Sequence, residues 1–497
     1  MKKVYILLMA ALGVVSCENY LDINTDPNSV SEEVVTSSML FPAVEMNISA
    51  SYNNFMHMTG SYYAQHYAQS FGTSNYLDYS KFTMSATRSS STYTQLTVRG
   101  LNNIATILSK AEAAEEWGTY LAATTMRAFT YQAMVDAWGE IPYSEALDTS
   151  NLSPAYDEGE DIYNGILAEL DAALALCSSG DTVCDNFLFN GSSSASNWIK
   201  FANALKLRIL MRMSGVASVS TELAALVAED NFPTEDVAFS GIYANASGQA
   251  NPFYQEEIST WGKNQTDCIV NIALLGTMEE VNDPRKEAFF VANVDGEYVG
   301  GVSGSNFSTG DTSEVGASYL CIPAWEYDTP AVLIGVCETE FFLAEYYASK
   351  GSYTEAQAHY EAAIEASFAQ AGVSGASDIY SNSIYAWDSS KALELIYMQK
   401  WVALAGFNGF EAWCEVRRTG YPKFDSSITG ESIFSESAGT YDASAYTPGT
   451  LYTPTYVDSE VGNNQTIQRY KYPQSSTSTN SNSPTTKLLN VPVFWAE

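Results

Sequence analysis

Residues 343–363, LAEYYASKGSYTEAQAHYEAA, constrain the fold of this chain more than any other stretch. Leu343, Ala344 and Tyr347 share one helical face, Gly351 ends that helix, and Ala356, Tyr360 and Ala363 line the inward face of a second. Small side chains at Ala344 and Ala356 let two antiparallel helices approach closely, while the tyrosines fill the groove between them. This is the helix–turn–helix spacing of a tetratricopeptide repeat. Such a pair leaves a face unburied by itself, so it needs neighbours of the same kind. A looser second candidate runs from Thr119 to Leu147, with Gly139 and Pro142 at its turn. An ordinary helical hairpin explains the same residues and leads to the same fold class.

Apolar residues recur at helical spacing in 39–50, 93–114, 119–137, 161–176 and 196–213, and again in 337–370 and 389–418. Ser196 and Asn197 stand before Trp198 as start signals, and Gly215 follows MRMS as a stop. Residues 216–336 differ: they are rich in Gly, Ser, Asn and aromatics and read as loops with short helices or strands. The tail from Tyr421 is irregular and includes the low-complexity run SSTSTNSNSPTT at 475–486, yet it closes on the apolar VPVFWAE. The expected fold is mostly α. It is a tetratricopeptide-like superhelix of helix pairs with a loop-rich middle region and an irregular C-terminal tail packed on it.

The amino terminus places the chain outside the cell. Lys2 and Lys3 precede an apolar run from Val4 to Val15 broken only by Gly13, and Ser16 stands just before Cys17. A basic start, a short apolar stretch and a small residue at the cut site make a secretory signal. The run is too short to span a bilayer, which takes about 20 residues. Residues 1–16 therefore read as the signal. With a cysteine at the cut the segment resembles a bacterial lipoprotein signal, which implies that Cys17 becomes the lipidated end of the mature chain; the alternative is an ordinary secreted protein. The whole chain has 23 basic and 58 acidic side chains, a formal charge of −35, and loses Lys2 and Lys3 with the signal. A surface this negative repels phosphate backbones, so nucleic acid is not an expected partner. Membrane contact is expected through the lipid anchor only.

Histidine is limited to His57, His66 and His359, scattered along the chain, so no metal site or cofactor is expected. Cys177 and Cys184 bracket the polar loop SSGDTV and are the expected pair if any disulfide forms; no CxxC spacing occurs. Asp22, Asn24, Asp26, Asn28 and Glu33 match the oxygen positions of a calcium loop. Pro27, however, stands where the turn wants glycine, and Asx turns explain the pattern better.

Several stretches together resemble the SusD/RagB family of outer-membrane nutrient-binding lipoproteins. They are CENYLDINTDPN at 17–28, VDAWGEIPYSEAL at 135–147, ETEFFLAEYYASKGSYTEA at 338–356, MQKWVALAGFNGFEAWCEVRRTGYP at 398–422, and VFW at 493–495. They follow the family's order over nearly the whole chain. The resemblance implies a mostly helical fold with tetratricopeptide-like pairs, exposure at the cell surface, and a complex with a SusC-like TonB-dependent transporter. In such a complex the lipoprotein acts as a hinged lid that captures oligosaccharide or peptide. On this reading 17–38 is a tether and 39–497 one domain. Its helical core is 39–215 and 337–420, its ligand region 216–336, and its tail 421–497.

Asp136, Trp138 and Glu140 in VDAWGEIPY have the look of a carboxylate pair beside an aromatic platform. Gly139 and Pro142 instead mark a tight helix-ending turn anchored by Trp138 and Tyr143, so the motif reads as structural. Arg417 and Arg418, near a helix end, likewise read as structural clamps on carboxylates. Ligand contacts are expected where aromatics sit on polar loops, because sugar rings stack flat C–H faces on Trp and Tyr and need amides and carboxylates for their hydroxyls; the same surfaces suit peptides. GTSNYLDYSK at 72–81, NPFYQEEISTWGKNQ at 251–265 and PAWEYD at 323–328 fit. Tyr76, Tyr79, Trp261 and Trp325 are the expected platforms, with Asp78, Asn264 and Gln265 as polar partners. The competing account is that each aromatic anchors its own loop.

No GxSxG, HExxH or Cys–His signature occurs, which favours a binding protein over a secreted hydrolase. A glycosidase would need two carboxylates at a set separation, which sequence does not show. A purely structural surface protein is the third alternative.

Overall fold

Thr36 opens the first described helix, α1 (Ser37–Ala50), by accepting the Met39 N–H on its side chain. The computed structural model describes residues 34–70, 75–148, 150–259, 267–305, 321–438 and 440–496. The expected signal, Cys17 and the Asp/Asn-rich tether lie outside the described residues. From α1 the chain passes through a π-helical turn, Ser51–Met56, into α2 (His57–Tyr63). The periodicity at 93–114 becomes a second π-turn, Gln95–Leu101, followed by α3 (Asn102–Ala113). Next come α4 (Trp117–Trp138), α5 (Gly159–Leu176) and α6 (Ala195–Met213), each within two residues of its periodic segment.

The array resumes with α7 (Val336–Ser349), α8 (Tyr353–Ala371), α9 (Ala392–Leu404) and α10 (Gly409–Thr419). Consecutive helices pack on one another in pairs, α3 with α4, α4 with α5, α7 with α8 and α9 with α10. The fold is the mostly α, tetratricopeptide-like stack that the pattern predicts. In the α7–α8 pair Leu343, Ala344, Ala356, Tyr360 and Ala363 are all buried, and Tyr360 donates its hydroxyl to the Tyr385 carbonyl at 2.8 Å. Tyr347 stays half-buried at the rim, stacked on His359 with ring planes 5° apart. The looser candidate at 119–147 pairs differently. Its helix ends at Trp138, and the partner that follows is α5, because Gly139 (φ +80°) turns the chain away.

Between α6 and α7 the described residues form short helices and three of the four strands of two small antiparallel ribbons. Strand β1 (Tyr67–Gln69) pairs with β3 (Cys268–Val270), and β2 (Val237–Phe239) with β4 (Ala331–Ile334). The tail returns to the body, burying Tyr470, Leu489, Val493 and Trp495. Asn480 and Asn482 donate to the carbonyls of Pro154 and Ser153, which ties down a run that is otherwise mostly exposed.

A charged network runs through the centre of the array. Arg208 of α6 grips Glu338 of α7 with two hydrogen bonds, 2.6 and 2.8 Å, and also donates to the Leu333 carbonyl on β4. One turn on, Arg212 bridges Asp136 of α4 and Glu411 of α10. Glu415 of α10 meets Lys400 of α9 at 3.0 Å, and Arg418 closes the chain onto Glu345 of α7 at 2.6 Å. Asp136 therefore holds helices together, as the structural reading of its motif predicts; Gln132, Tyr163 and Trp495 also hydrogen-bond its carboxylate. Glu140 faces Arg469, Tyr472 and Lys487. Burial alone would raise its carboxyl, but hydrogen bonds from Lys487 and Tyr472 and the Arg469 charge hold it at about 2. Arg417 donates to the carbonyls of Asp136 and Gln468 at 2.8 Å and lies over the Trp413 ring at 3.5 Å.

One expectation fails: Cys177 and Cys184 are both free thiols. Cys177 closes α5 and turns its sulfur to the Ser178 carbonyl, whereas the Cys184 backbone is held by the Thr119 hydroxyl of α4. The loop is thus secured by different elements at its two ends.

Removing one partner of a fully buried ion pair leaves the other charge unpaired, so Glu338→Ala should lower unfolding free energy by about 3–5 kcal/mol in a denaturant titration. Arg88→Ala, which breaks a half-exposed pair with Asp78, should cost less than about 1 kcal/mol. Gly139→Ala should cost more than about 1 kcal/mol, because its Cβ would stand 2.0 Å from Arg469 Nη2 at a positive φ.

Candidate functional site

Two π-turns and one short helical turn enclose a cleft of about 230 Å³ lined by Asn54, Phe55, Met58, Tyr76, Tyr79, Arg88, Glu256 and Glu257. Widened helical turns of this type often mark functional sites, because the extra residue re-aims side chains. Here the Ser51–Met56 turn presents Asn54 and Phe55, and the turn Tyr254–Ser259 presents Glu256 and Glu257. The third wall is the helical turn Leu77–Ser80, which follows β1; the Tyr76 N–H donates to Gln69 Oε1 at 3.0 Å and fixes where that turn begins.

Tyr76 and Tyr79, three residues apart on this turn, stack with centroids 5.6 Å apart and planes 24° from parallel. Phe55 meets Tyr79 edge-on at 6.1 Å. The Arg88 guanidinium lies 5.5 Å from the Tyr79 centroid and 3.7 Å from the Asp78 carboxylate. A cation over an aromatic face is held by the ring quadrupole. Beneath, rings continue without a break: Tyr62 touches Tyr76, Tyr79 and Tyr67, Tyr67 touches Phe253, and Phe253 touches Trp325 at 4.8 Å.

Of the seven residues expected at a ligand site, Tyr76, Asp78 and Tyr79 come together here. Tyr76 and Tyr79 are largely covered, at 8% and 2% exposure, so they meet the cleft by their margins. Trp325 lies deeper, its ring against His57 and Phe253. Trp261, Asn264 and Gln265 lie outside the described residues. Sequence reading missed Phe55, Arg88, Glu256 and Glu257. The glutamates sit inside the quoted stretch NPFYQEEISTWGKNQ and were legible there as polar groups beside aromatics. Phe55 and Arg88 carry no such signal, since only folding brings their segments to the 76–79 turn.

Tyr76 donates its hydroxyl to Glu257 Oε1 at 2.6 Å. Burial pushes the Glu257 carboxyl up to about 8, against the lowering effect of that hydrogen bond. Its side chain is fully buried, with Oε1 taken by Tyr76 and Oε2 facing the Cys268 thiol at 3.9 Å, so it braces Tyr76 from behind the cleft. Burial likewise holds His57 and His66 at about 3, so neither carries charge near neutrality. Among the described residues no cluster of His, Cys, Asp and Glu is arranged to hold a metal ion, and no helix is long and apolar enough to cross a membrane.

The helical array carries an aromatic cleft at its loop-rich end, and the fold is one that a known family shares. Residues 27–435 match the profile of the SusD-like family described as starch-binding and associating with the outer membrane, and the chain belongs to that family. No curated protein sequence matches it. Among solved structures it is similar to a SusD homolog from Bacteroides uniformis, at 20% identity and a TM-score of 0.72, covering 91% of this chain and 98% of that one. It is similar also to a chitin-binding SusD homolog from Flavobacterium johnsoniae, at 22% identity and a TM-score of 0.69, covering 93% and 96%. A SusD homolog from Bacteroides fragilis gives 19% identity, a TM-score of 0.68, and coverage of 93% and 99%. These likenesses establish the shared fold.

The raised Glu257 carboxyl has a measurable consequence. Between its unfolded value near 4.5 and its folded value near 8 the native state keeps a proton that the unfolded chain has lost, so stability falls as pH rises through that window. Glu257→Gln should flatten this decline, and the difference in unfolding free energy between the two proteins should grow by up to about 1.4 kcal/mol per pH unit. Glu45, also pushed up to about 8 by burial, is present in both proteins and cancels in the difference.

Proposed function

We propose that this chain is a lipid-anchored protein of the outer-membrane surface. It captures an oligosaccharide in the Tyr76–Tyr79 cleft and passes it to a SusC-like TonB-dependent transporter. The observation that carries the reading is the stacked tyrosine pair flanked by Arg88 and Glu256, with Tyr76 held from behind by Glu257. This supplies apolar ring margins beside donors and acceptors, the combination a polyhydroxylated ligand needs. The chitin-binding function named for the Flavobacterium johnsoniae relative supports a saccharide. Trp261, Asn264 and Gln265 are proposed as further contacts on their residue chemistry alone, and Trp325 as part of the aromatic layer beneath. Residues 39–497 are proposed to act as one domain, with 17–38 as its tether.

Anchoring is expected at Cys17: cells grown with an alkyne-tagged fatty acid should label the protein, Cys17→Ser should abolish the label, and absence of label on the wild type would refute a lipid anchor. For capture, calorimetry of the unlipidated mature protein against glucan, chitin and mannan oligosaccharides and against peptide panels is the test. A saccharide is expected to bind, and Arg88→Ala should weaken it about tenfold, about 1.4 kcal/mol. Arg88 suits this test because its side chain is half-exposed, so its removal leaves the buried layer intact. A hit among the peptides alone would replace saccharide by peptide as the cargo. Turnover of any bound oligosaccharide by the purified protein would overturn the binding role.

A further inference from the structure

Tyr456 is 64% exposed, while the other rings of its neighbourhood, Tyr446 and Tyr452, are buried. Its backbone sits at φ +53°, a left-handed conformation that bulky side chains avoid. An exposed aromatic residue held in that region marks a place where the surroundings impose a shape, and such outliers gather at ligand sites. The ring stands at a hollow of about 400 Å³ formed by the segments 429–437 and 453–463.

The polar lining of this hollow is not used up by the fold. Thr455 backs the hollow at 5% exposure, its hydroxyl packed against Gly430. Asn463, at the rim, makes no side-chain hydrogen bond among the described residues, whereas its neighbour Asn464 is bonded to Thr453. Glu431 lies on the same rim and accepts from Ser435 at 2.9 Å. Lys81 Nζ sits 5.3 Å from the Tyr456 centroid, on one side of the ring.

Lys81 also places the hollow. It follows directly on the turn Leu77–Ser80 that carries Tyr79, and its carbonyl accepts the Asp458 N–H at 2.9 Å. Thr83 reaches Asp458 from the same segment at 2.8 Å. The 76–83 segment thus forms a wall of the Tyr76–Tyr79 cleft with one part of its length and braces the Tyr456 hollow with another.

We propose that the hollow is a second saccharide subsite, with Tyr456 as its stacking platform and Asn463 and Glu431 as hydroxyl partners. It rests on the oligosaccharide reading of the cleft and extends it: the cargo is a chain of several sugars with one part at the Tyr79 cleft and another at Tyr456. The carboxylates of Glu431, and of Glu436 facing the Tyr456 hydroxyl, disfavour acidic sugars, so the residue bound here is a neutral pyranose.

The test is calorimetry of the unlipidated mature protein with maltose, maltohexaose, chitobiose and chitohexaose. Tyr456→Ala should weaken the hexasaccharide that binds by tenfold or more and leave its disaccharide unchanged, Asn463→Ala should act in the same direction, and Tyr456→Phe should keep the affinity. Arg88→Ala should weaken both lengths. Equal hexasaccharide affinity in wild type, Tyr456→Ala and Asn463→Ala overturns the second subsite and leaves the cleft standing. A hexasaccharide weakened by Tyr456→Ala and untouched by Arg88→Ala upholds the hollow and overturns the cleft. Failure of all four sugars to bind the wild type overturns both.

Discussion

Two arginines one helical turn apart, Arg208 and Arg212 on α6, set how the helix pairs sit against one another. Through Glu338, Asp136 and Glu411 they reach α7, α4 and α10, and through Glu415 the network continues to α9 and back to α7. A buried ion pair is weakly stabilising compared with well-packed apolar residues, but one left without its partner is very costly. The network therefore penalises every arrangement in which any of these helices shifts by a turn. Trp495 caps it, its ring 5.2 Å from the Arg212 guanidinium and 4.7 Å from that of Arg417, which explains why an irregular tail ends in an apolar sequence.

This interior use of basic residues shapes the outside. Arg208, Arg212, Arg285, Arg417, Arg469 and Lys400 are all buried, so part of the small basic complement never reaches the surface. Carboxylates such as Asp136, Glu338, Glu411 and Glu415 are buried with them, so the exterior stays strongly acidic while its cations become few, and those few gain meaning. Arg88 beside Tyr79 and Lys81 beside Tyr456 are two of them, each next to a ring. In both places a cation, an aromatic and carboxylates occur together at an opening, the mixture that holds a polar ligand with flat apolar faces.

The cleft depends on local departures from regular structure that the rigid array makes tolerable. Two π-turns, Ser51–Met56 and Tyr254–Ser259, aim Phe55 and Glu257 toward the 76–79 turn, while the layer from Tyr62 through Phe253 to Trp325 supports them from below. Rings that a sequence reader takes for platforms serve here largely as that support. Aromatic residues are as useful for packing a loop as for binding a ligand, and only exposure tells the two apart.

Helical spacing of Ala, Leu and Tyr was enough to find the long helices, the 343–363 pair and the fold class, though not His57–Tyr63 or the helices at Ser220–Glu229 and Ile272–Glu280, because periodicity is a local property that is strongest in long segments. The turn chemistry of VDAWGEIPY was legible for the same reason: a glycine and a proline at a helix end act on their own neighbours. Of the two expected carboxylate clamps, Arg418 does pair with Glu345 and Glu415, whereas Arg417 grips the backbone carbonyls of Asp136 and Gln468 instead. The paired segments at the cleft were not legible. Phe55, the Tyr79–Arg88 stretch and Glu257 are far apart in the chain, and no periodicity records that two separate π-turns will bring Phe55 and Glu257 to one cleft. Nor did local pattern reveal which aromatics stay exposed; Trp325 and Tyr456 look alike in sequence, yet one is covered by His57 and Phe253 and the other faces solvent. Residue spacing thus determined which segments are helical, and tertiary packing decided which side chains a ligand can reach, because burial is a property of the assembled surface and of no single segment.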